Sequence, residues 1–100
     1  MSVNSSLYYV YIVRCGDGTL YTGYTTNIAR RLAMHNAGKG ARYTRARLPV
    51  VLVANWEFAS KSEALRIEYA LKRWPRVQKL RLIENPTLIT LLISPQPEIE

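Results

Sequence analysis

The sequence predicts an α/β domain: a small three-stranded antiparallel sheet flanked by helices, in the order ββαβα, with further helical segments towards the C-terminus. Three observations carry this expectation. The aromatic and β-branched run Tyr8-Tyr9-Val10-Tyr11-Ile12-Val13 is followed by a second at Leu20 to Tyr24, and Gly16-Asp17-Gly18 between them supplies the Asp-Gly signal of a tight hairpin. Neither run alternates cleanly with polar residues, which fits a sheet covered by helices on both faces. The segments that follow carry helical start and stop signals.

Residues 1–6 are polar and read as a flexible N-terminus. After the hairpin, Thr26 or Asn27 can cap a helix running to about Asn36, where Gly38 and Gly40 end it and open a basic, glycine-rich loop. Val50 to Phe58 reads as the third strand. Ser60 with Glu63 makes a capping-box start for a helix continuing to Trp74, before Pro75, and a shorter helix follows through Glu84. The domain is thus expected over residues 7–84, with 85–100 a partly docked extension. Its apolar run after Pro86 is too short for periodicity to choose between a docked helix and an edge strand.

One hundred residues, 48% of them hydrophobic, suffice for one domain with a modest core that needs no disulfide or metal staple. Cys15 has no internal partner and no secretory leader is apparent, so a reducing cytoplasm is expected. The longest apolar stretch, Leu88 to Ile93, is interrupted by Thr90 and falls far short of the roughly 20 residues that span a bilayer, so no membrane anchor is expected.

Fourteen Lys+Arg against seven Asp+Glu give a formal charge of +7, the footprint of a polyanion binder. Placement sharpens this. Arg30, Arg31, Lys39, Arg42, Arg45 and Arg47 crowd an acid-free segment, and Arg66, Lys72, Arg73, Arg76, Lys79 and Arg81 form a second concentration. A solvated basic surface would look similar, but arginine outnumbers lysine, which favours phosphate recognition.

The Walker loop, GxGxxG and zinc-type Cys/His spacings are absent, and a single histidine leaves no obvious nucleophilic triad. Attention falls on His35, the tyrosines, the arginines and a few carboxylates. On a helical wheel Ile28, Leu32 and His35 share a face with Arg31 at its edge, while Arg30 points away. In the later helix Ala64, Ile67, Leu71 and Trp74 form the buried stripe, and Glu68 sits at its margin with Lys72 one turn on. Taken singly these residues have ordinary readings. His35 can be a partly buried helix histidine, Arg31 a surface charge, Glu68 half of a Glu-Lys helix pair, and Tyr9, Tyr11 and Tyr21 strand packing.

Taken together they form a pattern. Tyr9-Val10-Tyr11 and Tyr21-Thr22-Gly23 across a hairpin resemble the paired tripeptides of the GIY-YIG nuclease superfamily. The similarity continues through Thr25, Asn27, Ala29-Arg30-Arg31, His35-Asn36 and the basic loop to Ala64-Leu65-Arg66-Ile67-Glu68-Tyr69. The sequence resembles the small single-domain bacterial members and the nuclease domain of the eukaryotic structure-specific Slx endonuclease. It departs from the pattern at Tyr9, where glycine is usual, and at Thr22, which replaces an aliphatic residue.

The resemblance implies a GIY-YIG-like fold and a metal-dependent endonuclease that hydrolyses DNA phosphodiester bonds. It places Tyr11, Tyr21, Arg31, His35 and Glu68 in the catalytic site. Glu68 would hold one Mg²⁺ or Mn²⁺, and Arg31 would neutralise charge developing on the phosphate. Tyr11 would take a proton from the attacking water, with its pKa lowered by Arg31, the metal and His35, or with His35 accepting its proton in a relay. Tyr21 would orient water or phosphate. Arg30, Lys39, Arg42, Tyr43, Arg45, Arg47 and Lys72 would hold the DNA backbone, with the loop from Lys39 to Arg47, including Tyr43 and Thr44, as the clamp. A chain this short is expected to select branched or single-stranded DNA by shape, in repair or recombination, with a protein partner or homodimer supplying targeting. Two alternatives stand beside this reading: a non-catalytic nucleic-acid-binding module of the same fold, and a basic protein-interaction domain.

Overall fold

A computed structural model describes residues 7–93, and of residue 93 only the backbone. The expected flexible segment 1–6 and the end of the extension lie outside the described residues. Strands β1 (Tyr8–Arg14) and β2 (Leu20–Thr25) are followed by helix α1 (Ile28–Asn36) and the single helical turn α2 (Arg42–Arg45). Strand β3 (Val51–Phe58), helices α3 (Lys61–Lys72) and α4 (Arg76–Glu84), a 3-10 turn (Pro86–Ile89) and the short helix α5 (Thr90–Ile93) complete the chain. Every strand pair is antiparallel, as the sequence predicts, and the order in the sheet is β2-β1-β3.

The most apolar strand takes the centre: Val10, Tyr11, Ile12 and Val13 of β1 are all buried. Alternation then assigns its side chains to two cores. On one face Val10 packs with Phe58, with Ala64, Ile67 and Leu71 of α3, with Leu82 of α4 and with Ile89. On the other, Tyr11 and Val13 pack with Val50, Tyr21 and the α1 residues Ile28 and Leu32. The sheet is therefore covered on both sides. Between the pairs Ile12–Ala54 and Val13–Leu52 the register slips by one residue, leaving Val53 of β3 unpaired as a bulge.

The helix starts are set by side chains. Asn27 Oδ1 accepts from the Arg30 amide at 3.0 Å, and Ser60 Oγ from the Glu63 amide at 3.2 Å, so both caps form where the sequence places them. The α3 stripe is buried at Ala64, Ile67 and Leu71, whereas Trp74 lies past the helix end and is half-buried.

Two features differ from expectation. The hairpin connection is longer than a two-residue turn, because Asp17 Oδ1 accepts from the Thr19 amide and hydroxyl (3.1 and 2.6 Å) and stabilises a five-residue loop. The basic loop contains α2, which buries Thr44. The run after Pro86, left open between a docked helix and an edge strand by its sequence, is helical and docked through Ile89.

Ile67 is fully buried between α3 and the sheet. Ile67→Ala is expected to destabilise the protein by about 2–5 kcal/mol through lost burial and a residual cavity, read as a lower urea midpoint.

Candidate active site

Tyr11 projects from the middle of the central strand towards α1. Its partner across the β1–β2 ladder is Gly23, and a Cβ there would collide with the Tyr11 hydroxyl and ring. The missing side chain is what lets the tyrosine lie across β2. At its tip, Tyr11 Oη is 2.8 Å from His35 Nε2. His35, in the last turn of α1, is fully buried, and its Nδ1 is 2.8 Å from Thr44 Oγ1 of α2. Thr44 in turn donates to the Ala41 carbonyl at 3.0 Å.

These contacts fix the hydrogen positions that satisfy them all. A carbonyl only accepts, so the Thr44 hydrogen points at Ala41, His35 Nδ1–H donates to Thr44, and Nε2 is left as the acceptor for the Tyr11 hydroxyl. Burial, and then the charge of Arg31, hold the His35 pKa below the ordinary histidine value. His35 is thus a neutral acceptor. In that state it carries no charge to lower the Tyr11 pKa, and its Nε2 is placed to accept the Tyr11 proton.

Tyr11 is held above the ordinary tyrosine pKa. Burial is the main cause, opposed by Arg31 and reinforced by Tyr21 and Glu68. That balance is also a map, since one hydroxyl feels three of the other sequence-derived residues. Arg31 is half-buried, and its Nε is buried without a hydrogen-bond partner among the described residues. Glu68 is half-buried and pairs with Lys72 Nζ at 3.3 Å. Tyr21 packs edge-on to His35 with 5.7 Å between ring centroids, stacks on Tyr43 at 5.9 Å and lies under Lys72 Nζ at 5.7 Å. Tyr11, Tyr21 and His35 are in direct contact, and Arg31 of α1 and Glu68 of α3 lie near enough for their charges to act on the Tyr11 hydroxyl.

The residues expected to hold DNA divide into groups. Arg42 and Arg45 flank Tyr43, exposed on α2, and Lys39 is exposed just before it. Arg30 is exposed on α1, turned from the apolar stripe as the wheel indicates. Arg47 is committed within the protein: it donates to the Tyr43 carbonyl at 2.8 Å, lies 3.9 Å over the Tyr43 ring and pairs with Asp17 at 3.1 Å. Thr44 faces His35 rather than outward.

Sequence reasoning missed the supports. Gly40, read only as a helix stop, lies so close to His35 that a Cβ would overlap Nδ1. Asn36 ties the end of α1 to the start of β3, donating to the Val50 carbonyl (3.1 Å) and accepting from its amide (2.8 Å). No local sequence signal marks either role, because each depends on a distant approach.

As for a metal, no group of three or more His, Cys, Asp or Glu residues is assembled among the described residues. The donor at hand is the single Glu68 carboxylate. A lone hard oxygen ligand suits Mg²⁺ or Mn²⁺ with a shell completed by water and phosphate oxygens, and does not suit zinc.

Residues 7–81 match the family model described as the GIY-YIG catalytic domain. The chain belongs to the GIY-YIG family. Within it, the chain is 62% identical over 78 residues to a UPF0213 protein of Staphylococcus haemolyticus, covering 78% of this chain and 95% of that one. A UPF0213 protein of the archaeon Halobacterium salinarum is 56% identical over 73 residues, 73% of this chain and 95% of its relative, so the likeness is not confined to bacteria. Among solved structures, the solution structure of the UPF0213 protein BH0048 from Bacillus halodurans is 47% identical with a TM-score of 0.53, covering 90% of this chain and 99% of that one. That of EF2693 from E. faecalis is 36% identical, with a TM-score of 0.55 and coverage of 97% and 98%. This GIY-YIG domain has no helix, among the described residues, long and apolar enough to cross a membrane.

Two outcomes test the site's construction. Gly23→Ala and Gly40→Ala are each expected to displace the Tyr11–His35 pair, seen as large shifts of the His35 ring NMR signals. The second concerns pH. Because the folded-state pKa of His35 lies below the ordinary value of 6.5, the unfolded chain takes up a proton just below pH 6.5 that the folded chain refuses. Stability should therefore fall as pH drops from 6.5 towards 5, and His35→Gln should lose that dependence in urea titrations across the window.

Proposed function

We propose that this chain is a divalent-metal-dependent endonuclease that hydrolyses DNA phosphodiester bonds. The observation that carries the reading is the buried Tyr11–His35–Thr44 hydrogen-bond chain, ending at a hydroxyl that is flanked by an unpartnered arginine nitrogen and a carboxylate. A hydroxyl joined to a neutral imidazole can pass its proton on as it receives another.

In the proposed reaction Tyr11 Oη takes a proton from water as the water oxygen attacks phosphorus, and the Tyr11 proton moves to His35 Nε2. This order avoids a standing phenolate, which burial disfavours. Thr44 holds the His35 tautomer throughout. The P–O3′ bond breaks, leaving a 5′-phosphate and a 3′-hydroxyl as the leaving oxygen takes a proton from a solvent water; His35 then returns its proton to Tyr11, which releases the one taken from the attacking water to solvent. Arg31 would bring its guanidinium charge to the phosphate, where negative charge grows. Tyr21, fixed between His35 and Tyr43, positions water or phosphate. Glu68 would hold a Mg²⁺ or Mn²⁺ ion, which when bound supplies charge neutralisation at the phosphoryl and leaving oxygens. Its present partner Lys72 would then be released towards the DNA backbone.

Arg30, Lys39, Arg42, Arg45 and Lys72, with Tyr43 at the cleft wall, would grip phosphates without reading bases. Arg47 would act indirectly, by stiffening Tyr43. This reading gives selectivity by DNA shape, for branched or single-stranded regions, and a cytoplasmic role in repair or recombination, with a protein partner or homodimer supplying targeting.

The test is cleavage of labelled linear, single-stranded, flap and branched DNA with Mg²⁺, with Mn²⁺ and with chelator. Metal-dependent cutting is expected, falling on the order of 100-fold or more in Glu68→Ala, Arg31→Ala and Tyr11→Phe, with folding checked by circular dichroism. Cutting that survives Glu68→Ala would overturn the metal assignment. Tight binding without cutting under either metal would instead establish a binding module.

A further inference from the structure

Along the β2 edge, where α3 gives way to α4, two adjoining cavities of about 310 and 240 Å³ share Tyr43 and Lys79 in their walls. The larger also contains Tyr21, Thr22 and Lys72, so it begins at the candidate active site. The smaller continues past Trp74 to Arg76. None of the residues lining either cavity is acidic, and three are cations.

Lys79 is the unusual one. It is only 8% exposed, yet among the described residues its ammonium has neither an ion pair nor a hydrogen bond. Lysine is rarely buried to this extent unless paired, and here the stem is covered while the unpaired ammonium is left facing the groove. Burial, followed by the charge of Lys72, depresses its pKa below the ordinary lysine value. Thr22, in the same wall, is buried with its hydroxyl unpartnered. Arg76, on the exposed rim, spends one nitrogen on the Gly18 carbonyl at 2.9 Å and keeps other donors. A groove with an unpaired cation on a largely buried stem and two more cations beside it is completed by a small anion, and phosphate matches its size and charge.

We propose that this groove is a phosphate subsite, with Lys79 as its buried ligand and Lys72 and Arg76 beside it, that holds a DNA backbone phosphodiester neighbouring the one cleaved. The proposal rests on the nuclease reading in taking DNA as the ligand. It adds a direction: the strand leaves the active site along the β2 edge, towards the start of α4. A second anchored phosphate would fix the orientation of the scissile one, as in-line attack demands.

The test uses the full chain in chelator, where nothing is cut. Binding of a labelled single-stranded oligonucleotide without a terminal phosphate is followed by anisotropy across a salt series. Lys79→Met is expected to weaken binding about tenfold and to lower the slope of log K against log salt by about one, the signature of one lost phosphate contact. Lys61→Met, an exposed substitution away from the groove, should leave both unchanged. Arg76→Gln, also exposed, should weaken binding in the same sense and carries the test if Lys79→Met fails to fold.

Wild-type affinity and slope in the Lys79 variant, or in the Arg76 variant where that one carries the test, would overturn the subsite. So would a Lys79 effect seen only with inorganic phosphate or a 5′-phosphorylated oligonucleotide, which would mark a pocket for free or terminal phosphate. Lys79-dependent binding in a protein that never cuts DNA would remove the nuclease reading and leave the subsite. Metal-dependent cutting with Lys79-independent binding would do the reverse.

Discussion

The hydrogen bond between Tyr11 and His35 joins the central strand to the helix across the sheet, and much of the surrounding sequence is arranged to permit it. Two polar side chains are placed in an otherwise apolar layer, where any unsatisfied atom costs about 1–3 kcal/mol. Both imidazole nitrogens are therefore occupied, one by Tyr11 and the other by Thr44. Thr44 can reach only because the chain after α1 doubles back into a helical turn. Gly23 and Gly40 are the two places where backbone must pass directly against this pair.

That arrangement sets the electrostatics. The interior keeps the proton on Tyr11 and off His35, since burial opposes charge on either. Two neutral groups sharing one proton form a device that can transfer it, whereas a preformed ion pair would first have to be broken. Around this neutral centre the charged groups stand at the margin. Arg31 has a free buried donor, and Glu68 is restrained by Lys72. The centre is dry and the rim is charged, which suits a polyanionic ligand brought to a protected hydroxyl.

The basic character of the chain proves to be heterogeneous once folded. Arg47 is spent on architecture, clamping Tyr43 and Asp17, while Arg42, Arg45 and Lys39 stay in solvent. Lys79, which the sequence presents only as one of the second concentration of cations, is buried. Net charge measures none of this, because a cation's role depends on whether an acceptor already faces it.

The sequence by itself determined the elements and the family resemblance. Strand runs, the Asn27 and Ser60 caps and the Ala64–Ile67–Leu71 stripe are local, set by propensity and periodicity over a few residues, and the structure keeps them nearly in place. The ordered motifs likewise pointed to Tyr11, Tyr21, Arg31, His35 and Glu68. Only the tertiary structure decided which way the His35 proton points, that Thr44 turns inward, that Gly40 makes room rather than merely ending a helix, and that Lys79 lacks a partner. Each of these depends on what lies opposite a residue across the fold, and a side chain's protonation and accessibility are properties of that neighbour as much as of its own chemistry.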